Sequence, residues 1–290
     1  MTNSKAQAAY PPFYERRRGL FEPIGKPGDF FGPRQTPERF PYIKDRTDIG
    51  AFVARDHYPL PHAEDRENYY HENDFHYWLS GLEDFIRLAD MVPALYRPGA
   101  RILDFGGASG RFLRHCAANL PQAALTLADI NINHIDWVER HFEGRIDGVK
   151  VPAVPPLPFG GNQFDLVTGF SVFTHLDQYE IPTLRELIHA TKPGGYLYLS
   201  IHSDYAWDLL PNNHINESIK NLPLYSRLKI PGPMPAPRVA FPYSSTLETY
   251  NCHIFLARDY IRSVWGRYAT VEQIIANGHG NQDGVLLRKN

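Results

Sequence analysis

The residues best suited to chemistry lie in one stretch, Arg101-Ile-Leu-Asp-Phe-Gly-Gly-Ala-Ser-Gly-Arg-Phe-Leu-Arg-His115. An apolar run containing Asp104 reads as a short buried strand. Gly106, Gly107 and Gly110 read as a turn where a side chain would block the backbone or a ligand, and Phe112, Leu113 and Ala117 as the start of a helix. A turn feeding a helix N-terminus offers amide hydrogens to a ligand; the alternative is a tight turn that binds nothing. Asp129 favours the ligand. Leu125 to Ile130 reads as a second strand whose acidic tip lies 19 positions after Gly110, where nucleotide-binding folds accept the ribose hydroxyls.

Titratable groups recur at the ends of later strands. Phe164 to Phe170 is a strong strand leading into Ser171-Val-Phe-Thr-His-Leu-Asp177, and Tyr196 to Ile201 is a fifth strand ending at His202-Ser-Asp204. Between them a helix begins near Pro182, turns Leu184, Leu187 and Ile188 inward, and is stopped by Lys192-Pro-Gly-Gly195. Asn131 to Phe142 reads as the helix after the second strand, and a weaker third strand is expected around Val149 to Val154, ahead of the proline-rich turn to Gly161. Strands alternating with helices at this spacing imply an α/β fold with parallel pairing, right-handed crossovers and helices on both faces. Ligands of such sheets bind beyond the C-terminal strand ends. Asp104, Asp129, Phe170 to His175 and His202 to Asp204 should therefore converge on one rim.

From Asp74 to Val92, the residues Phe75, Trp78, Leu79, Leu82, Phe85, Ile86, Ala89 and Val92 fall at three- and four-residue steps, an amphipathic helix that Asn73 or Asp74 could cap. Just upstream, Tyr69-Tyr70-His71-Glu72 suits either closure over a ligand or an ordinary surface cluster. Residues 1 to about 65, including Tyr10-Pro-Pro-Phe-Tyr14, are rich in Pro, Arg, Tyr and Phe without periodicity and read as an extended or disordered lead-in. Residues 205 to about 247 carry many prolines and read as an insertion over the same rim. Beyond it, Thr249 to Phe255 looks extended and Ala257 to Trp265 helical, while Thr270 to Ala276 and Gly284 to Leu287 form a hairpin around Asn277-Gly-His-Gly280. The expected division is an extended N-terminal arm (1–73), a lid helix (74–99), a ligand-binding core (100–204), a substrate-side insertion (205–247) and a C-terminal helix with hairpin (248–290).

Composition narrows the function classes. In 290 residues, 43% are hydrophobic, enough for a real core. Thirty basic against thirty-two acidic side chains give a formal charge of -2, so no general field draws the chain to nucleic acid or an acidic membrane. Arg16-Arg17-Arg18 reads as a solvated terminal segment. Cys116 and Cys252 stand far apart, which argues against a disulfide framework and for a reducing compartment, and neither looks like half of a metal site. Without a signal-like start or an apolar run of about 18 residues, the expectation is a soluble cytoplasmic protein with no metal.

The motifs together resemble the class I S-adenosylmethionine-dependent methyltransferases, in their broad small-molecule group. Four matches in order carry the resemblance: Leu103-Asp-Phe-Gly-Gly-Ala-Ser-Gly110, the acidic tip Asp129, Leu157-Pro-Phe with Phe164-Asp-Leu-Val167, and Leu184-Arg-Glu-Leu187 with Lys192-Pro-Gly-Gly-Tyr-Leu197. It implies a Rossmann-like, seven-stranded, mostly parallel sheet whose last strand is antiparallel, residues 74–290 as the methyltransferase domain, and S-adenosyl-L-methionine as cofactor. By resemblance, Asp104, Gly106, Gly107, Ala108 and Gly110 hold the methionine part, Asp129 accepts the ribose hydroxyls and Ile130 lies against adenine. Leu157 belongs to the same cofactor set, and Phe170 and Ser171 flank the methionine chain toward the acceptor. Two departures stand out: Ala108 replaces the usual middle glycine, and Val154-Pro-Pro156 occupies the place of an acidic adenine-edge contact, leaving that role to backbone groups. A dinucleotide dehydrogenase shares the turn and the acidic tip, but its Gly-x-Gly-x-x-Gly follows the strand directly. The Leu-Pro-Phe and Lys-Pro-Gly-Gly segments favour methyl transfer.

A sulfonium methyl is already activated, so the protein must chiefly align acceptor, methyl carbon and sulfur and exclude water. An alcohol or protonated amine acceptor must also lose a proton to a base. His175 and His202 are the catalytic candidates with Asp177, and His253 is a further candidate for either base or acceptor contact; Asp204 is a second carboxylate at the rim. The plain alternatives are that His175 and Asp177 cap the following helix and that His202 satisfies a strand end. Tyr69, Tyr70, His71 and His253 are the candidate acceptor contacts. The expected reaction is in-line methylation of a small molecule, on an oxygen such as a sugar or secondary-metabolite hydroxyl, with no nucleic acid or membrane partner. Methylation of a small amine is one alternative. The other is a nucleotide-binding module without catalysis, whose N-terminal arm contacts a partner or a second copy in a homodimer.

Overall fold

The computed structural model describes residues 22–31, 37–45, 47–212, 214–228, 230, 232–242 and 252–290. Arg16-Arg17-Arg18, Tyr10 to Tyr14 and the start of the segment expected to be extended from Thr249 lie outside them. Nine strands occur among the described residues: β1 (Arg101–Phe105), β2 (Ala124–Asp129), β3 (Ile146–Lys150), β4 (Phe164–Gly169), β5 (Thr191–Ile201), β6 (Arg238–Pro242), β7 (Cys252–Leu256), β8 (Thr270–His279) and β9 (Gln282–Arg288). Seven form one sheet in the order β3-β2-β1-β4-β5-β9-β8, and β6 pairs with β7 separately. β1, β2 and β3 run parallel, as do β4 and β5, while β9 is antiparallel to β5 and β8. The parallel pairing is what the alternation of strands and helices implied, and the Rossmann-like, seven-stranded sheet with an antiparallel last strand is what the resemblance implied. The chain forms two compact units, divided between Val151 and Pro152.

In the first unit the helices are α1 (Pro27–Phe30), α2 (Ile49–Arg55), α3 (Asp74–Met91), α4 (Leu113–Asn119) and α5 (Ile132–His141). Ile102, Leu103, Leu125 and Leu127 are fully or almost fully buried, as expected for parallel strands covered on both faces. On α3, Asn73 caps the helix by accepting from His76 N, and Trp78, Leu79, Leu82 and Phe85 are buried; each such apolar side chain contributes about 1.5–3 kcal/mol of burial. Where an extended lead-in was expected, residues 49–55 are helical and Asp56 is fixed. Its carboxylate accepts from Arg114 Nε and Trp78 Nε1, both at 2.7 Å. Burial would raise the Asp56 pKa, but the Arg114 guanidinium overrides burial and holds it below the usual carboxylate range. Withdrawing Asp56 would leave the Arg114 guanidinium buried without its partner, which costs about 3–5 kcal/mol. β3 begins three residues before the expected strand, because Ile146–Lys150 takes the register opposite Leu125–Asp129. Val151 N donates to Asp129 O, and Pro152 has no N–H to extend the ladder.

In the second unit the helices are α6 (Glu180–Ala190), α7 (Asp204–Asp208), α8 (His214–Ile219), α9 (Pro223–Arg227) and α10 (Arg258–Val264). Leu184 and Leu187 on α6 are buried as the spacing required. That helix ends one step earlier than Lys192-Pro-Gly-Gly195: Thr191 turns extended, its hydroxyl donates to Leu187 O, and the four residues form an irregularity within β5. The C-terminal hairpin turns at Gly280–Asn281, at the end of the expected Asn277-Gly-His-Gly280. Gly278 packs so closely on β9 that a Cβ there would lie 2.5 Å from Gly284 N, and Tyr198 donates to its carbonyl. The proline-rich insertion has its own core, in which Trp207, Leu210, Ile219, Phe241 and Phe255 are buried together.

Candidate active site

The glycine turn is shaped by crowding. A Cβ on Gly107 would lie 2.7 Å from Asp104 Oδ2 and 3.0 Å from Leu127 Cδ1, and Gly106, Ala108 and Gly110 all adopt positive φ. Gly106 N donates to Ala128 O at 2.7 Å, which ties the turn to β2. Gly106, Gly107 and Ala108 are half-buried, with Asp104 beneath them at 2% exposure. The helix starts later than expected, at Leu113, so any ligand-facing amides belong to the turn itself. Ala108 N already donates to Asp129 Oδ2 at 2.9 Å.

Asp129, at the tip of β2, is the hub of this end. Its Oδ1 accepts from Asn131 N at 2.7 Å and lies 3.3 Å from His134 Nδ1 on α5, while His134 Nε2 lies 3.2 Å from Glu67 Oε1. Asn131 Nδ2 also donates to Glu67. Burial alone would push the His134 imidazole down, but the two flanking carboxylates overrule it and raise its pKa to about 10. Burial acts upward on Glu67 too, and its bond to His134 keeps that carboxyl below the usual range. Ile130 is half-buried next to this hub. Glu67 and His134 were not among the sequence candidates; nothing local marks them, because 67 positions separate them and the contact is tertiary.

Tyr69, Tyr70 and His71 lie on the same unit. Tyr70 and His71, with Phe30, Phe31, Asp74 and Phe75, line a cleft of about 570 Å³. Tyr69 packs edge-on to Tyr70 and lies under the Arg111 guanidinium, 5.5 Å from its ring.

In the second unit, His175, His253 and His202 form a row, with ring centroids 5.3 and 5.4 Å apart. The row arises because β7 is stitched to the ends of two strands: Ile254 N donates to Thr174 O, and Leu256 N to His202 O. His253 thus lies beside both other candidate bases. His175 Nδ1 is 2.8 Å from the Cys252 carbonyl. A carbonyl only accepts, so Nδ1 carries the hydrogen and Nε2 is the acceptor nitrogen. Burial lowers the His175 pKa and keeps the ring neutral near pH 7. Asp177 is engaged elsewhere: its Oδ1 accepts from Arg238 Nη2 at 2.6 Å, and Arg238 also bonds the buried Glu180. Asp204 accepts from Arg258 N. Ser171, at φ +58, is held in a ring of bonds: its N donates to Ser200 Oγ, which donates to Gln282, whose amide returns to Ser171 Oγ. Phe170 packs on the His279 ring at 5.0 Å, and Leu157 N donates to Glu186 on α6. Among the described residues, no group of three or more His, Cys, Asp or Glu side chains is disposed to hold a metal ion, and no helix is long and apolar enough to cross a membrane.

The family model described as a methyltransferase domain matches residues 44–244. The chain belongs to the S-adenosylmethionine-dependent methyltransferases. Among its relatives are the ubiquinone/menaquinone biosynthesis C-methyltransferase UbiE of Ectopseudomonas mendocina, 31% identical over 46% of this chain and 53% of the relative, and the demethylspheroidene O-methyltransferase of Rhodobacter capsulatus, 32% identical over 41% of this chain and 28% of the relative. The methyltransferase spans about half the length of the first of these. In fold it is similar to the PH0226 protein of Pyrococcus horikoshii, with a TM-score of 0.52 at 14% identity over 76% of this chain and 93% of that one.

The enzyme's cofactor is S-adenosyl-L-methionine, and its glycine turn fits that group. Position 107 has no room for a side chain, the turn is open on its half-buried side, and a carboxylate stands at the tip of the neighbouring strand.

Proposed function

We propose that this methyltransferase methylates an oxygen of a small polar or aromatic acceptor, with His175 taking the proton that the acceptor loses. Bound S-adenosyl-L-methionine supplies an electrophilic sulfonium methyl. In this reading Asp104 and the turn Gly106 to Gly110 hold its methionine part, Asp129 accepts its ribose hydroxyls, Ile130 lies against adenine, and Leu157, Phe170 and Ser171 line the path to the acceptor. The acceptor oxygen bonds the methyl carbon as the carbon–sulfur bond breaks, and the hydroxyl proton passes to His175 Nε2. The observation that supports a base is the bond from His175 Nδ1 to the Cys252 carbonyl, which fixes the tautomer with Nε2 as acceptor. His253, tilted against it, and His202, tilted against His253 in turn, orient the ring and contact the acceptor. Within their own unit, Tyr70 and His71 line a cleft whose aromatic and polar walls suit a ring or a hydroxyl.

Methylation of an electron-rich ring carbon is the second reading. It is favoured by the relatives named as C-methyltransferases, and it too releases a proton to a base. Incubating the enzyme with methyl-labelled S-adenosyl-L-methionine and a panel of phenols, sugars, hydroquinones and amines separates the readings. The carbon shift of the transferred methyl distinguishes O-, C- and N-methyl products. A product methylated at carbon or nitrogen overturns the oxygen assignment.

A further inference from the structure

The acceptor inventory at the nucleoside end is one short. An ionised carboxylate offers about four lone-pair sites. On Asp129, Asn131 N and His134 Nδ1 face Oδ1, and Ala108 N takes one site on Oδ2. Among the described residues, Oδ2 has one site left beside the bond from Ala108 N, whereas a ribose diol brings two hydroxyl donors. Glu67 stands on the far side of the same imidazole, and its contacts with His134 Nε2 and Asn131 Nδ2 both run to Oε1, which among the described residues leaves Oε2 to a ligand. Its side chain is 44% exposed, unlike that of Asp129 at 7%.

The chain around Glu67 is built to present it. Glu67, Asn68, Tyr70 and His71 all adopt positive φ, 55°, 55°, 61° and 43°, a conformation that L side chains rarely take. The segment persists because it is tied down on both sides: Asn68 N donates to Ala63 O, and buried Arg66 pairs with Asp74 at 2.7 Å and lies over the Tyr77 ring. Strained backbone held by its surroundings is a recurrent mark of a binding segment. The His134 imidazole lies between the two carboxylates, with Nε2 3.2 Å from Glu67 Oε1 and Nδ1 3.3 Å from Asp129 Oδ1, and so sets Glu67 next to Asp129.

We propose that Glu67 is a second acceptor for the vicinal diol of the bound nucleoside, working beside Asp129. This rests on the reading of Asp129 as the ribose acceptor. Calorimetric titration of the full chain with S-adenosylhomocysteine and with its 2′,3′-dideoxy analogue tests both. For the wild type, the analogue should bind markedly more weakly. Glu67→Ala should lose about 10-fold or more in affinity for S-adenosylhomocysteine, the scale of one charge-assisted hydrogen bond, and almost nothing for the analogue. Glu67→Gln, which keeps the shape, repeats the measurement if the alanine variant does not fold, and thermal melting without ligand reports folding for each. Equal losses for the two ligands, or none for S-adenosylhomocysteine, overturn the proposal. A diol-dependent loss confined to Asp129→Asn keeps the ribose reading and removes Glu67 from it; a wild type that binds both ligands alike removes both.

Discussion

Replacing Gly107 by Ala adds one methyl group at the most crowded point of the cofactor turn. The new Cβ would lie 2.7 Å from Asp104 Oδ2 and 3.0 Å from both Asp104 Cγ and Leu127 Cδ1. Asp104 is 2% exposed and Leu127 fully buried, so neither neighbour can swing away, and the backbone of the turn must yield instead. Overpacking of this kind costs about 1–3 kcal/mol. At about 2–4 °C per kcal/mol for a chain of this size, melting should fall by roughly 2–12 °C. Because Asp104 and the turn are the proposed methionine contacts, S-adenosylhomocysteine should bind the variant more weakly, and the melting increment it confers at a fixed concentration should shrink. Gly28→Ala is the control: Gly28 lies in α1 with nothing within 4 Å of its Cβ position, so the same methyl should leave melting unchanged or slightly raised. Differential scanning fluorimetry of both variants, with and without ligand, reads all four quantities. A Gly107→Ala protein that melts and binds like the wild type would refute the account of the turn as a closed cradle.

The base assignment predicts that His175→Gln lowers kcat by about 100- to 10,000-fold, the usual worth of a general base, without weakening S-adenosylhomocysteine binding. Because burial lowers the His175 pKa, wild-type kcat/KM should stay flat down to pH 6.5 and fall only below it, as the ring is protonated; an unchanged turnover in the variant removes His175 from the mechanism. Stability should carry a separate acid signature from His115. Its Nε2 donates to the Trp78 carbonyl at 3.0 Å, and burial drops its pKa from 6.5 to about 3. Since the folded value lies below the unfolded one, the unfolded chain binds the proton first, and stability is lost as pH falls below 6.5. Two pH units lower, at pH 4.5, the loss from this group is about 3 kcal/mol. Urea unfolding at pH 7 and 4.5 should show that much more loss for the wild type than for His115→Gln, and an equal loss in both removes the assignment.

The sheet was legible because its signals are local. Parallel strands buried on both faces read as apolar runs, and Arg101–Phe105, Ala124–Asp129 and Phe164–Gly169 were found within a residue or two. The misplaced boundaries share one cause, which is that a turn residue does not say which ladder it interrupts. Lys192-Pro-Gly-Gly195 looks like a helix stop, yet Thr191 ends the helix and the glycines make an irregularity within β5, where Gly194 N and Lys289 O pair across strands. Asn277-Gly-His-Gly280 looks like a hairpin turn, yet the chain turns at its last residue, Gly280, with Asn281, while Gly278 stays in the ladder packed on Tyr198 and Gly284.

The site divides along the same line. Asp104, the glycines and Asp129 sit on consecutive elements at fixed spacing, so their roles could be inferred from the chain. Asp177 shows the limit of proximity in sequence: two residues from His175, it pairs instead with Arg238, 61 positions away, because α6 brings Glu180 and Asp177 under one guanidinium. His253 gained its place only through the β7 ladder, which sets it between His175 and His202. Glu67 is the strongest case, since a lone acid in an aperiodic stretch carries no sequence signal. What selects it is a tertiary contact, the His134 imidazole that lies between Asp129 and Glu67.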